Sequence, residues 1–191
     1  MGPDGSGKTT IAQFLSEHVN SVEYIYLGSK TQRLPDKIKK VIAPELGLAG
    51  IKKFKEIRDI MAVTYHCVRY LIKYCKKIYI SLLQGKIVIG DRYYYELLTS
   101  GYYSIPHFFK KLLLTMMPNP HLTILLTNDA KTIWERKKEL TVEEIDRQIN
   151  SLKKLLITLP SYDELTTNQS VKSTAMEIFH KIIALYPDKR G

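Results

Sequence analysis

Residues 2–9 read Gly-Pro-Asp-Gly-Ser-Gly-Lys-Thr, and this octapeptide restricts the fold more than any other stretch of the chain. It satisfies G-x-x-x-x-G-K-[ST], the spacing that lets consecutive main-chain N–H groups turn inward around an anion. Glycine suits such a loop because left-handed backbone costs it nothing sterically. The helix expected from Lys8 onward adds its positive N-terminal end. In a loop of this kind Lys8 reaches the β- and γ-phosphates and Thr9 sets a hydroxyl on Mg²⁺. Gly2, Pro3, Asp4, Gly5, Ser6, Gly7, Lys8, Thr9 and Thr10 are therefore the expected cradle for ATP. A buried parallel strand normally leads into such a loop. Only Met1 precedes Gly2. Either that strand lies outside the sequence, or it is absent, or another segment fills its slot.

Hydrophobic spacing sets out the remaining elements. Residues 8–20 place Ile11, Phe14, Leu15 and Val19 on one helical face. Residues 22–27 read as a strand ended by Gly28. Residues 29–50, with Pro35, Pro44, Gly47 and Gly50, read as loop with room for one short helix. A long helix is expected over 51–83, where Pro and Gly are absent, and Gly85 stops it. Residues 87–89 form a buried strand that empties into Gly90-Asp91-Arg92. A helix over 107–117 ends at Pro118, and 122–127 is a second buried strand. Helices over 130–138 and 141–159, a strand over 162–167 and a helix over 171–185 complete the pattern. Strands alternating with helices imply a parallel sheet covered on both faces. The expectation is an α/β, three-layer P-loop NTPase fold in a single domain, 1–191, with a short mobile lid at about 136–148.

Composition narrows the partners. With 191 residues and 45% apolar content, the chain can bury a real core. No apolar run reaches the roughly 18 residues that span a bilayer, and no signal peptide is visible, so no membrane partner is expected. Cys67 and Cys75, eight residues apart on a helix, lie about 12 Å apart along its axis and cannot bridge each other. Free thiols point to a cytoplasmic protein. The net charge of +10 suits nucleic acid, an anionic membrane or a phosphorylated small molecule. Much of it is scattered as Lys-Lys pairs at 39–40, 52–53, 76–77, 110–111, 137–138 and 153–154. That is the pattern of solvated helix faces, not of one nucleic-acid groove. The histidines and cysteines lack zinc-ligand spacing.

Two further groups carry chemistry. Asp91-Arg92-Tyr93 follows the carboxyl end of a strand, where open parallel sheets bind ligands. Asp91 there can hold Mg²⁺ through water or orient an attacking phosphate, and Arg92 can clamp a phosphate bidentately. Arg136, Lys137, Lys138 and Arg147 gather at the joint between two helices. Phosphoryl transfer needs positive charge on the moving group and little covalent chemistry from the protein, so an arginine from a closing lid would complete the site. Glu139, Glu143 and Glu144 are equally placed to pair with these cations.

Residues 2–10, together with Lys-Ile-Val-Ile-Gly-Asp-Arg-Tyr at 86–93, resemble the thymidylate kinases, P-loop kinases of nucleoside monophosphates. An Asp two residues after the first loop glycine is a feature of that family. Looser similarity extends to the strand at 121–126, to Asp146-Arg147-Gln148 at the lid end, and to the terminal strand and helix over 162–183. The resemblance implies transfer of the γ-phosphoryl group of Mg·ATP to dTMP. It places Asp4 near the sugar 3′-hydroxyl or the metal, and Lys8 and Thr9 on the ATP phosphates and Mg²⁺. Asp91 falls beside the metal and the acceptor phosphate, Arg92 on the acceptor phosphate, and Arg136 or Arg147 over the transferring group. Tyr65 and Arg69 match an aromatic–x₃–Arg pair that stacks on the base and bonds its edge. Tyr93 falls at the acceptor pocket, while at least two of Tyr93, Tyr94, Tyr95, Tyr102 and Tyr103 are expected beneath the loop. A homodimer through helices such as 51–83 is implied as well. The chain departs from the family at the segment after the second strand, where Thr-Gln-Arg-Leu-Pro stands at 31–35. It departs again over 94–100, and at Thr127, where a carboxylate is usual. All of these touch the acceptor side. A kinase of another small acceptor and a non-catalytic nucleotide-binding protein therefore stay open.

Overall fold

The computed structural model describes residues 1–28 and 48–185, with side chains for all of these but 48–54. Most of the loop expected over 29–50, with the Thr31–Pro35 stretch, lies outside the described residues. In order the elements are α1 (Lys8–His18), β1 (Val22–Tyr26), α2 (Leu48–Lys73), a π-helical turn (Tyr74–Tyr79) and α3 (Ile80–Leu83). There follow β2 (Ile87–Asp91), α4 (Tyr95–Thr99), α5 (His107–Met116), β3 (Thr123–Thr127), α6 (Ala130–Arg136), α7 (Val142–Leu156), β4 (Tyr162–Thr166) and α8 (Val171–Ala184). The long helix expected over 51–83 is present, but one turn of it winds as π. It stops where Gly85 takes a φ of 75°, the left-handed turn that releases a chain from a helix. The short α4 was not expected from its tyrosine-rich sequence.

The strands pair in parallel, β1 with β2 and β3 with β4. Alternation in a parallel ladder decides which edge each residue serves. Thr123 N–H donates to Ser161 O at 2.9 Å, and Thr127 O accepts from Thr167 N at 2.8 Å, so these residues face β4. Ile124 and Leu126 face the other edge. There Ile124 O accepts from the Met1 amine, and Leu126 N donates to Met1 O at 2.7 Å. Main chain from Met1 thus occupies one ladder position immediately ahead of the phosphate loop. Among the described residues, β2 has β1 as its only ladder partner.

Alternate side chains of the strands feed two layers. Ile25 and Leu125 join Val63, Cys67, Tyr95 and Leu156 on one face. Val22, Leu126 and Leu165 meet Ile11, Leu15 and Ile178 of α1 and α8 on the other. Leu125, Leu156 and Tyr95 are fully buried, and each of the two leucines contributes about 2 kcal/mol. This three-layer α/β packing fixes the carboxyl ends of β1 and β2 beside the phosphate loop.

Candidate phosphate-binding and acceptor site

Gly2, Gly5 and Gly7 have φ of 144°, 95° and 83°. A methyl group on Gly2 would collide with the Leu126 carbonyl, so the loop lies directly on β3. Gly7 is the N-cap of α1 and offers no capping side chain. The amides of the first helical turn are therefore without intrahelical acceptors, aimed at the loop's hollow. Ser6 is fully buried, and its Oγ has no hydrogen-bond partner. Lys8 folds back over the loop. Its Nζ donates to Pro3 O at 2.7 Å and lies 3.5 Å from Asp4 Oδ1. Burial pulls its ammonium below the usual lysine range, against the pull of Glu96 and Asp4.

The end of β2 closes over this loop. Asp91 is buried, and its Oδ2 accepts from Thr9 Oγ1 at 2.7 Å and from the Tyr24 hydroxyl at 3.0 Å. Oδ1 of the same carboxylate is buried without a partner. Burial, then the neighbouring Asp91 charge, pushes the Tyr24 phenol up to about 12. Arg92 has a φ of 65°, the one positive φ outside glycine among the described residues. Such a conformation costs on the order of 1 kcal/mol and persists where surrounding contacts enforce it. The contacts are a pair of carboxylates: Nη1 donates to Glu96 Oε2 at 3.2 Å, and Nη2 donates to Asp4 Oδ1. Glycine at 28 leaves room for this, since a Cβ there would stand 2.7 Å from Arg92 Cδ. Asp4 also lies 3.9 Å from Lys137 Nζ. Burial alone would raise the Asp4 carboxyl, but Lys8, Arg92 and Lys137 outweigh it and hold it below the usual range. Glu96 is raised by burial, with Arg92 and Lys8 opposing.

Two cavities flank the Arg92–Glu96 pair, which lines both. One lies between the end of β1 and α2, walled by Gly28, His66, Arg69, Tyr70, Lys73 and Tyr93. The other is walled by Pro3, Asp4, Thr99, Ser100, Leu140 and Gln148, between the phosphate loop, α4 and α7. The first holds three cations and a floor of aromatic rings. Tyr93 stacks edge-on against Tyr70 at 4.9 Å between centroids, and its hydroxyl donates to Pro118 O. An anion with an aromatic or apolar body matches that wall.

The sequence matches the model of the thymidylate kinase family over residues 2–179. The chain belongs to the thymidylate kinase family. It is an ATP-dependent phosphotransferase acting on dTMP to give dTDP. The fold resembles that of thymidylate kinase from Ehrlichia chaffeensis, with a TM-score of 0.59, 18% sequence identity and 95% of both chains covered. No curated protein shows significant similarity to the sequence. Use of ATP, with Mg²⁺ as its usual companion, follows from the family. No helix among the described residues is long and apolar enough to cross a membrane.

Measured against expectations for a thymidylate kinase, the structure brings Asp4, Lys8, Thr9, Asp91 and Arg92 into one cluster. Arg69 and Tyr93 stand on the adjoining cavity. Tyr94 and Tyr95 are packed beneath the loop, at 2% and 0% exposure. Three expected residues sit elsewhere. Tyr65 is not on the cavity wall; its ring lies under Arg69 Cζ at 5.7 Å. One helical turn puts residues 65 and 69 along a shared edge, but the cavity opens on the side of that edge where residue 66 projects. Arg136 is turned to the start of the β4–α8 connection, where Nη2 donates to Thr167 O at 3.3 Å. Arg147 is held by Glu144 at 2.6 Å and by the Ser100 carbonyl at 3.3 Å. Neither arginine touches the Asp4 cluster. His66 and Lys73 were missed as cavity residues, although both stand at helical spacing from Arg69 (−3 and +4). His66 is buried, its Nε2 3.3 Å from the Tyr103 hydroxyl. Lys73 Nζ donates to Gly28 O at 3.2 Å.

Proposed function

We propose that residues 2–10 hold the triphosphate of ATP while dTMP lies across the Arg92–Glu96 pair, its base toward α2 and its phosphate on Arg92. The reading is supported above all by one observation: the phosphate loop and the end of β2 are joined through Thr9 and Asp91, with Asp91 Oδ1 left buried and unpartnered. Thr9 and Asp91 fit a hard cation through oxygen, and Mg²⁺ takes few protein ligands because it keeps waters and substrate phosphates. When bound, the metal would neutralise charge on the β- and γ-phosphates. Lys8 would leave Pro3 O for a phosphate oxygen. The first-turn amides of α1 would fix the remaining oxygens without reorganisation. Arg92 would align the acceptor phosphate with the γ-phosphorus. That phosphate is largely dianionic at neutral pH, with a second pKa of about 6, so its oxygen attacks without a general base. Asp4 would be freed to meet the sugar hydroxyl. A lid over residues 136–148 would close on the transferring group.

A homodimer is part of this reading. Ile57, Met61, Val68 and Ile72 of α2 are each about half exposed. Their spacings of four, seven and four form a single seam that suits another apolar helix. The Met61→Glu, Ile72→Glu double variant should sediment as a monomer where the parent sediments as a dimer. Cys67 and Cys75 are free thiols, which suits the cytoplasm.

The central test is ADP formation by the purified protein with Mg·ATP and a panel of nucleoside monophosphates and nucleosides. dTMP-dependent ADP is expected, with dTDP as the second product. Absence of acceptor-dependent ADP across the panel would overturn the reading.

A further inference from the structure

Transfer to dTMP gives one carboxylate of the site nothing to do. Glu96 accepts from Arg92 Nη1 at 3.2 Å through Oε2, while its Oε1 is buried with no hydrogen-bond partner. A buried acceptor without a donor is costly, so such an atom marks a place where a ligand can bring one. The residue lines both cavities, with its side chain 16% exposed. The attacking phosphate oxygen of dTMP brings no proton, and a charged carboxylate beside it repels it. An acceptor that ends in a hydroxyl supplies the missing donor.

Glu96 stands between the two halves of the site. Arg92 holds it on the acceptor side. On the donor side it is the strongest charge acting on the Lys8 ammonium, ahead of Asp4 at 3.5 Å. Between those two cations a γ-phosphoryl group leaves one oxygen and meets another. The other carboxylates nearby are engaged. Asp4 is held by Lys8, Arg92 and Lys137, which keep its carboxyl below the usual range and make it a poor proton acceptor. Asp91 is held by Thr9 and Tyr24 at the position that fits the metal. Glu96 differs from both. Burial raises its carboxyl against the pull of Arg92, Lys8 and the Met1 amine, and Asp4 adds to the rise. A carboxyl shifted in this direction takes a proton more readily. Neutral, it can donate to the phosphate of dTMP; charged, it can accept from a hydroxyl.

We propose that the same site has a second activity, phosphorylation of thymidine, with Glu96 as its general base. This rests on the binding of ATP at residues 2–10 proposed above. The nucleoside seats one phosphate deeper than dTMP, toward the cavity walled by Asp4, Thr99 and Ser100. Its 5′-hydroxyl oxygen attacks the γ-phosphorus of ATP. The O5′–P bond forms, the P–O bond to the β-phosphate breaks, ADP leaves, and the hydroxyl proton passes to Glu96 Oε1. The product is dTMP, so a second turn carries it on to dTDP. The test is product chromatography after incubation with Mg·ATP and thymidine, dTMP or 5′-deoxythymidine, for the parent, Glu96→Gln and Glu96→Asp, with thermal melting as a check on folding. The parent should convert thymidine to dTMP and dTDP and leave 5′-deoxythymidine unchanged. In Glu96→Gln the ratio of thymidine turnover to dTMP turnover should fall by about 10²-fold, the scale of general-base catalysis. Glu96→Asp, which keeps a carboxylate, should retain more of that ratio. A parent that turns over dTMP and leaves thymidine untouched would overturn the proposal and leave the dTMP reaction standing. A ratio in Glu96→Gln within about threefold of the parent would overturn it as well, by removing Glu96 as the base. A parent that turns over neither acceptor would overturn the phosphoryl-transfer reading first, and this activity with it.

Discussion

On the phosphate-loop side of the site, backbone sets the geometry: three glycines in left-handed conformations, a bare helix N-terminus and one ladder position against β3. On the side facing α2, side chains set it: Arg69, Lys73, His66 and a stack of tyrosines, each positioned by packing. The first arrangement offers donors common to every triphosphate. The second offers a particular mixture of charge and ring surface. A backbone-built site tolerates little change in sequence, whereas a wall of side chains can be rebuilt residue by residue. Of the departures from the family pattern, Tyr94, Glu96 and Leu97 lie on that wall, whereas Thr127 lies at the end of β3, its hydroxyl donating to Glu164.

The contrast is broken most directly at Lys8. Lys8→Met should lower kcat by at least about 10³-fold, because a charge aimed at the phosphates in a water-poor site has no substitute there. The melting temperature should hold or rise, since burial already disfavours the ammonium and Met fills similar volume. Parental turnover in this variant would remove the donor side from the mechanism. Next in size is Asp91→Asn. It weakens the carboxylate that accepts from Thr9 and Tyr24. Activity should fall by about 10²-fold, and part of the loss should return at raised Mg²⁺. A loss indifferent to Mg²⁺ would assign Asp91 to the loop's architecture and not to the metal.

These two residues were readable from sequence because each belongs to a pattern that dictates its own geometry. The loop motif imposes backbone conformation, and a carboxylate at a strand's carboxyl end has only one place to go. The helix over 51–83 was readable from its lack of Pro and Gly, whereas its first residues, 48–50, were read as loop because of Gly50. Side-chain direction was not. Arg136 and Lys137 are neighbours, and nothing in their identities tells which one faces the loop. The extended C-cap at Lys137 decides it, and that conformation depends on α6 packing through Ile133, which is fully buried. His66 was hidden for a related reason, because a helical edge seen from sequence has two sides. The ladder position of Met1 could not be read either, since a single residue carries no periodicity.

The acceptor wall is sharpened by a smaller effect. Arg69→Ala should raise KM for dTMP by about tenfold, the scale of one hydrogen bond to a charged group, with kcat little changed. Tyr65→Ala should shift it less than about threefold, since its ring is off the cavity. A larger effect at Tyr65 than at Arg69 would mean that α2 rotates on binding and that the ligand-free wall is not the working one.

The smallest expected effect tests whether this wall is as firmly packed as the phosphate loop. Cys67 is buried one residue from His66, whereas Cys75 is exposed. Burial raises the Cys67 thiol from an ordinary 9.0 to about 11. A thiolate is the reactive form, so a thiol reagent at pH 8 should modify one cysteine quickly in the folded protein and both after denaturation. The same shift has a definite sign in stability. The folded state keeps the Cys67 proton to higher pH than the unfolded chain does, so the contribution is complete below pH 9.0 and is lost as pH rises through about 11. Stability of a Cys67→Ala variant should therefore fall less steeply than that of the parent across this interval. Rapid modification of both thiols in the folded protein would show that α2 opens readily at His66. The acceptor wall would then be a surface formed on binding, set against a phosphate loop that stands ready before it.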